Sequence, residues 1–520
     1  MAIFAKKPKK EAPKAMLRSL LSRPLAAYVV AQQNKWIAHS ESVQAQWLLR
    51  LLKAAAHTQF GKDHFFNDLL HLPSNQRYEA FQKAVPIVDY EGLKPYIERI
   101  LQGEQDVLWR GKPAYFAKTS GTTSGTKYIP LTRESIPNHI NSARNALLTY
   151  IHKSKNATFL DKSLIFLSGS PILEKKAGIP TGRLSGIVNH HVPAYLRSNQ
   201  KPSYATNCLE DWEQKLERII DETLTADMSL ISGIPPWVQM YFDRLQARTG
   251  GKSISEIFPN FSLFVYGGVN FEPYRAKLFD SIGKKIDSIE TFPASEGFFA
   301  YQDEQEDNSL LLLLNSGIFF EFIPVEKYHD PNPPRLSISE VELNQNYALI
   351  INSNAGLWGY SIGDIVRFVS KKPYKILFSG RIKHYISAFG EHVIGKEVET
   401  AMRLAMEKHS EVRIREFSVA PQVTPPEGGL PYHEWWVAFE SKPNDLEAFS
   451  KDLDQALQSQ NSYYYDLIKG SILRTAQVRV LPAEGFELYM KSIGKLGGQN
   501  KVPRLTNDRQ IAEQLQKLFF

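Results

Sequence analysis

A single cysteine, Cys208, is present in the 520 residues. It excludes an internal disulfide and any multi-cysteine metal site, and it points to a reducing compartment, so the expected location is cytoplasmic. A membrane span is also lacking. The most apolar stretch, Ser309 to Val325, is broken by Asn315, Gly317 and Glu321, which suits two buried strands around a turn better than a helix crossing lipid. The basic start has no apolar core of the kind a secretory leader needs. Excess charge is missing from the body of the chain. Between Met1 and Pro24 there are seven cations and one anion, a net +6 of the chain's +7. Polyanion binding by the body is therefore not expected, and residues 1–24 read as a basic, flexible tail.

Apolar residues make up 43% of the chain and charged residues 22%, an ordinary globular balance, and the length calls for more than one core. Leucines and alanines recur at helical spacing from Ala31 to Phe60. Helical patterns then alternate with short strands, among them "PAYFAKTS", "DKSLIFLSG", "MSLISGIPP", "FSLFVYGG", "KIDSIETFPASE" and "ALIINSN". This alternation predicts an α/β fold: a large N-terminal domain of mostly parallel β-sheets with packed helices, whose ligands gather at the carboxyl ends of strands. The segments "KKPYKILFSGRIKHYISAFGEHVIGKEVETAMRLAME" and "PQVTPPEGGLPYHEWWVAF" predict a smaller, mobile α+β C-terminal domain. The expected boundaries are 25–380 for the large domain, 381–385 for a hinge and 386–520 for the smaller one.

Four stretches carry candidate chemistry. "AKTSGTTSGTKYIPLT" (Ala117 to Thr132) is not a Walker A loop, because Gly121 and Gly125 are too close and Thr126 separates Gly125 from Lys127. Thr119, Ser120, Thr122, Thr123 and Ser124 can donate to phosphate oxygens, Gly121 permits close approach, and Lys127 adds charge. The loop follows a strand and precedes a helix-like stretch, a setting in which backbone N–H groups converge on anions; a solvated Ser/Gly turn is the alternative. "YGGVNFEPY" offers the pair Gly267 and Gly268 for approach of a flat ring or ribose to the backbone. "ETFPASEGF" offers Thr291, Phe292 for stacking, Ser295, and Glu296 for a magnesium ion. "GYSIGDIVRF" presents Asp364 for vicinal ribose hydroxyls. Caps and turns are the alternative for each. His190 and His191 are adjacent, and adjacent histidines rarely point at one ion.

Taken together and in this order, these stretches resemble the adenylate-forming superfamily of acyl and aryl ligases. The phosphate loop of that superfamily is similar to Thr119 to Lys127, its "YGxTE" to Phe292 to Glu296, its "Y-x-TGD-x-x-R" to Tyr360 to Arg367, its hinge to Gly380 to Lys383, and its carboxy-terminal lysine motif to Asn500 to Arg504. Within it the chain resembles the auxin-responsive GH-three family of acyl acid amido synthetases, in a bacterial-type form, through Val85 to Trp109, Ile231 to Leu245, Phe319 to Pro324 and Gly497 to Leu505. Phe292 stands where the family has a tyrosine, Pro293 replaces a small residue, and His384 replaces a frequent acid.

The resemblance implies ATP and Mg²⁺ as cofactors, a carboxylic acid activated as its acyl adenylate, and transfer of the acyl group to an amine, an amino acid being the expected acceptor. Small-molecule substrates are implied, with no nucleic acid and no stable membrane insertion. Lys501 and Glu296 are the implied catalytic residues, Glu296 also holding the metal, and Arg381 reaches the ribose or anchors the moving domain. Two rivals remain at this point: an acyl-CoA ligase on the same scaffold, and a non-catalytic nucleotide or small-acid binder.

Overall fold

The computed structural model describes residues 14–520 apart from 121–125, 193–196, 210–211, 268–270, 383–384, 387, 389–390, 392, 470–472 and 497–500. Residues 14–24, expected in the tail, instead open the helix Lys14–Ile37. Ala26 and Val29 of this helix bury against Ala146 and Leu148 of the helix Ile136–Ser154. Once those turns are anchored, extending a helix backwards costs far less than nucleating one.

The main sheet has eleven strands, in the order Ile318–Pro324, Asn346–Ser353, Tyr360–Lys371, Tyr374–Arg381, Leu310–Leu312, Gly297–Gln302, Asp287–Ala294, Leu263–Gly267, Met228–Ser232, Ser163–Phe166 and Gln200–Lys201. From Asp287–Ala294 onward its pairings are parallel. Side chains alternate between two covered faces there: Leu164, Leu230 and Leu263 join the core under the first long helices. Ile165, Ile231 and Phe264 join a second core with Leu216, Val238 and Leu278 of the crossover helices. Strands buried on both faces read as nearly continuous apolar runs.

The expectation of mostly parallel sheets holds only for that half. From Asp287–Ala294 to Ile318–Pro324 every pairing is antiparallel. No crossover helix intervenes there, so the chain can reverse through turns, which antiparallel pairing permits. Ser309 to Val325 forms two strands around a turn, as expected, and no helix among the described residues is long and apolar enough to cross a membrane.

A four-stranded sheet stands beside this one. Tyr115–Ser120 and Thr126–Leu131 form an antiparallel hairpin, and Ile179–Gly182 runs parallel to the first of them. The hydroxyl-rich loop therefore joins two strands, and the helix expected after it begins only at Ile136.

Beyond Arg381 the chain leaves the large sheet. Strands Arg413–Gln422, Tyr432–Ser441 and Gln477–Leu481 form a separate sheet. It packs through Phe417, Trp435 and Val437 on Val398 and Met402 of the helix Gly395–Lys408 and on Phe449 and Leu453 of the helix Leu446–Gln460. The core of this unit is separate from the main large-sheet cores, and Ile394, just before the helix Gly395–Lys408, packs with Ile323, Ile350 and Ile365 of the large sheet.

Candidate active site

A cleft of 2100 Å³ lies between the large sheet and the C-terminal unit, and both contribute to its walls. The parallel strands point their carboxyl ends into it through Ser168, Ser232, Gly267 and Thr291, the position at which α/β sheets bind ligands.

Each charged side chain at its centre is placed by a local device. Glu296 sits in the tight turn between Asp287–Ala294 and Gly297–Gln302. Asp364 and Arg381 are direct cross-strand partners on neighbouring antiparallel strands. Tyr360 is set by the residue before it: Gly359 has φ +54°, and a Cβ there would lie 2.2 Å from the Pro86 carbonyl oxygen, so only glycine lets the chain pass. Lys501 arrives from the other side of the cleft. The segment following it is laced to the strand Arg413–Gln422 by Val419 N donating to Arg504 O at 2.9 Å and by Ser418 Oγ donating to Pro503 O at 2.8 Å.

The electrostatics of these groups are coupled. Arg381 Nε approaches Asp364 Oδ1 at 2.8 Å, an ion pair between cross-strand neighbours. Burial raises the Asp364 pKa, against the lowering influence of Arg381 and Lys501. Burial also raises Glu296, with Asp364 adding to the effect and Arg381 and Lys127 opposing it. Tyr360 Oη comes within 3.5 Å of Glu296 Oε1. Lys501 is open to the water of the cleft but enclosed by protein. Its pKa is brought down to about 8 by this desolvation and by Arg381, against Asp364. Two carboxylates and two cations from both units thus surround one space, a balance suited to a short phosphate chain with a metal counter-ion.

Three domain descriptions of one family match the chain in order: the GH3 family N-terminal domain over residues 29–201, the central domain over 311–381 and the C-terminal domain over 396–510. The chain belongs to the GH3 family. The indole-3-acetic acid-amido synthetase GH3.4 of Arabidopsis thaliana is 23% identical, over 94% of this chain and 94% of its own. The jasmonoyl–L-amino acid synthetase JAR4 of Nicotiana attenuata is 23% identical over 55% of this chain, and that match spans 60% of the relative's length. A solved GH3.15 acyl acid amido synthetase, in complex with 2,4-DB, superposes with a TM-score of 0.76 at 16% identity, covering 95% of this chain and 96% of that one. A 2-hydroxyisobutyryl-CoA ligase shares the fold with a TM-score of 0.60 at 14% identity, over 92% and 93% of the two chains.

On this GH3 scaffold the cleft gathers Thr119, Gly267, Thr291, Phe292, Ser295, Glu296, Asp364, Arg381 and Lys501. Ser120 ends the first strand of the hairpin. Gly121, Thr122, Thr123, Ser124 and Gly268 lie outside the described residues, as do Lys383 and His384 of the expected hinge. The space above Gly267 is already filled, since a Cβ there would meet the Thr291 carbonyl oxygen at 2.3 Å; this glycine serves the close approach of two strands. Phe292 is 8% exposed and holds Phe299 and Phe378 edge-on at 5.2 and 5.6 Å, so one part of its ring is committed to the core.

Residues that the sequence reading did not single out also line the cleft. Tyr90 carries Lys127 over its ring at 5.4 Å. His139 is buried in the wall, its Nδ1 has no hydrogen-bond partner, and burial lowers its pKa to about 4, so the imidazole is neutral. His139 stands in no motif that could have marked it, and Tyr90 lies within Val85 to Trp109 without being marked as a site residue. Among the described residues no group of three or more His, Cys, Asp and Glu forms a metal cluster, and His190 instead contacts Pro171 O through Nε2 at 2.8 Å.

Proposed function

We propose that this chain is an ATP-dependent ligase that converts a carboxylic acid to its acyl adenylate and then to an amide, with an amino acid as the acyl acceptor. The observation that carries the reading is the convergence of Glu296, Asp364 and Arg381 from the large domain with Lys501 from the C-terminal unit around one cleft. Family membership and the names of the relatives support it, and the single cysteine supports a cytoplasmic location.

In the first half-reaction a carboxylate oxygen attacks the α-phosphorus of ATP, the bond to the bridging oxygen of the β-phosphate breaks, and pyrophosphate leaves. Negative charge concentrates at the α-phosphate, where the Lys501 ammonium and the Arg381 guanidinium stabilise it. Thr119 and the hydroxyls that follow it receive the outer phosphates. Phe292 faces the adenine with the part of its ring left free, and Asp364, on the cleft wall, accepts from ribose hydroxyls. The donor set fits Mg²⁺: that ion takes one or two carboxylates plus phosphate oxygens in place of a protein cage, and Glu296 with its cleft neighbours supplies the former. The ion, when bound, neutralises phosphate charge.

In the second half-reaction the amine nitrogen attacks the acyl carbon, the C–O bond to the phosphate breaks, AMP leaves, and the nitrogen loses its proton. The C-terminal unit acts as a lid that excludes water from the adenylate, with 381–385 as its hinge.

The test is acid-dependent exchange of labelled pyrophosphate into ATP across a panel of carboxylic acids, followed by product analysis with amino acids and with CoA. Exchange plus amide formation is the expected result. Thioester formation in place of the amide assigns a CoA ligase, and a folded sample that exchanges with no acid is a binder.

A further inference from the structure

Beyond the nucleotide half the cleft runs to the end of the strand Ser163–Phe166, three strands from Asp287–Ala294 and so roughly 14 Å across the sheet. Arg183 lines this far end and is half-buried. Other cations on the wall are engaged: Lys118 with Glu174 at 3.2 Å, Lys277 with Asp243 at 3.3 Å, Arg381 with Asp364, and Arg415 with Glu487. The Arg183 side chain has neither an ion pair nor a hydrogen bond among the described residues. Its burial draws its pKa downward, with no carboxylate to oppose the effect.

The surroundings hold the side chain in place and strengthen the positive field. Arg183 lies across Gly169, where a Cβ would come within 2.9 Å of its Cδ. The Gly169 N–H is tied to Ser185 Oγ at 3.2 Å, which joins this loop to the segment carrying Arg183. Behind the loop Lys215 is 2% exposed and, among the described residues, donates only to carbonyls, those of Ser168 at 2.8 Å and Asn207 at 2.9 Å. Arg183 and Lys215 repel each other. Ser168, also on the cleft wall, has a buried hydroxyl with no partner, so turning it toward the cleft breaks no hydrogen bond. A half-buried guanidinium beside a second cation, without a counter-charge, is costly unless an anion completes it. Its planar fork matches a carboxylate in two-point contact.

We propose that Arg183, helped by Ser168, binds a substrate carboxylate other than the one being activated. Two sources share this chemistry: the α-carboxylate of an amino acid acceptor, and the distal carboxylate of a dicarboxylic acid. The inference rests on the amide-forming reading above and deepens it.

Arg183→Gln and Arg183→Lys, each checked for native circular dichroism, separate the sources. If the acceptor is read, KM for alanine or phenylalanine rises roughly ten- to hundred-fold in Arg183→Gln; KM for alaninamide or phenylalaninamide does not, and the loss appears in amide formation only. If the acid is read, pyrophosphate exchange loses its preference for hexanedioate over hexanoate. Arg183→Lys keeps part of either preference. A variant with both preferences unchanged overturns the proposal, and so does a rise confined to KM for ATP, which would place Arg183 on the polyphosphate. Thermal shifts with N-benzoylalanine against N-benzoylalaninamide, and with hexanedioate against hexanoate, report binding without turnover. A carboxylate-specific shift in the wild type that is absent from Arg183→Gln keeps the proposal even where no acid supports exchange. Failure of these preferences in a catalytically active protein leaves the ligase reading intact and removes Arg183.

Discussion

Two carboxylates on the antiparallel half of the large sheet, Glu321 and Asp364, each meet an arginine, and the two pairs are built differently. Glu321 is fully buried. It receives Arg335 Nε at 2.9 Å and Nη2 at 2.6 Å, Asn352 Nδ2 at 2.9 Å and Tyr78 Oη at 3.2 Å, while Arg335 Nη1 donates to Gln82 O and Val85 O. Asp364 is nearly as buried, but among the described residues its carboxylate is held by Arg381 alone, and that arginine stands half-exposed in the cleft. A satisfied buried network fixes one packing, whereas an incompletely satisfied one is stable only where something else completes it. Similar residue types in one sheet thus read as scaffold in the first case and as a ligand site in the second.

The largest expected effect lies on the cleft side of this comparison. Lys501→Ala removes a charge that acts on the reacting phosphate, so adenylation should fall by at least a hundred-fold, about 3 kcal/mol in the barrier, with the denaturation midpoint unchanged. Pyrophosphate exchange near the wild-type rate would remove Lys501 from the mechanism.

Exchanging the two pairs' fates is the next test. Arg335→Met strands Glu321 and should destabilise the fold by about 3–5 kcal/mol in urea titrations, with activity per folded molecule retained. Asp364→Asn should raise KM for ATP roughly ten- to hundred-fold, the cost of a hydrogen bond to a charged group, and alter stability by less than about 1 kcal/mol. The reverse pattern would mean that Asp364 is structural.

Titration sharpens the same contrast, because the cleft groups are displaced toward neutrality. Lys501 loses its proton as the pH rises through about 8, so adenylation should decline above that value. Burial raises the pKa of both Glu296 and Asp364, which moves the acid limb upward as well. Lys501→Arg should shift the alkaline limb to higher pH in exchange assays run from pH 5 to 10. A flat profile above pH 8 would detach the rate from this lysine.

The smallest effect is expected between the two units, where Lys277 bridges Asp243 and Glu440. Glu440→Gln should change global stability by under about 0.5 kcal/mol, and any kinetic consequence should appear as an altered ratio of the two half-reaction rates. A loss above 2 kcal/mol by urea denaturation would show that the two units form one rigid body.

Much of the large domain was legible because its strands are short apolar runs divided by helices, a pattern that burial on both faces writes directly into the residues. The antiparallel half was not: pairing direction depends on how the chain returns, and Leu310–Leu312 finds its neighbours in Gly297–Gln302 and Tyr374–Arg381, the latter far along the chain. Glu296, Asp364, Arg381 and Lys501 were legible through their motifs. Tyr90, His139 and Arg183 were not, because a lone tyrosine, histidine or arginine carries no local mark of whether its partner is a protein group or open space.

What the residues alone determined is the inventory: an α/β chain with one cysteine, basicity confined to its start, and four or five segments whose side chains suit a nucleotide. Tertiary structure decided which charges are compensated and which are not. Compensation depends on a few ångströms between residues far apart in the chain, as with Glu321 satisfied by Tyr78 and Arg335 while the Arg183 side chain meets no carboxylate among the described residues, and no local pattern of side chains encodes that distance.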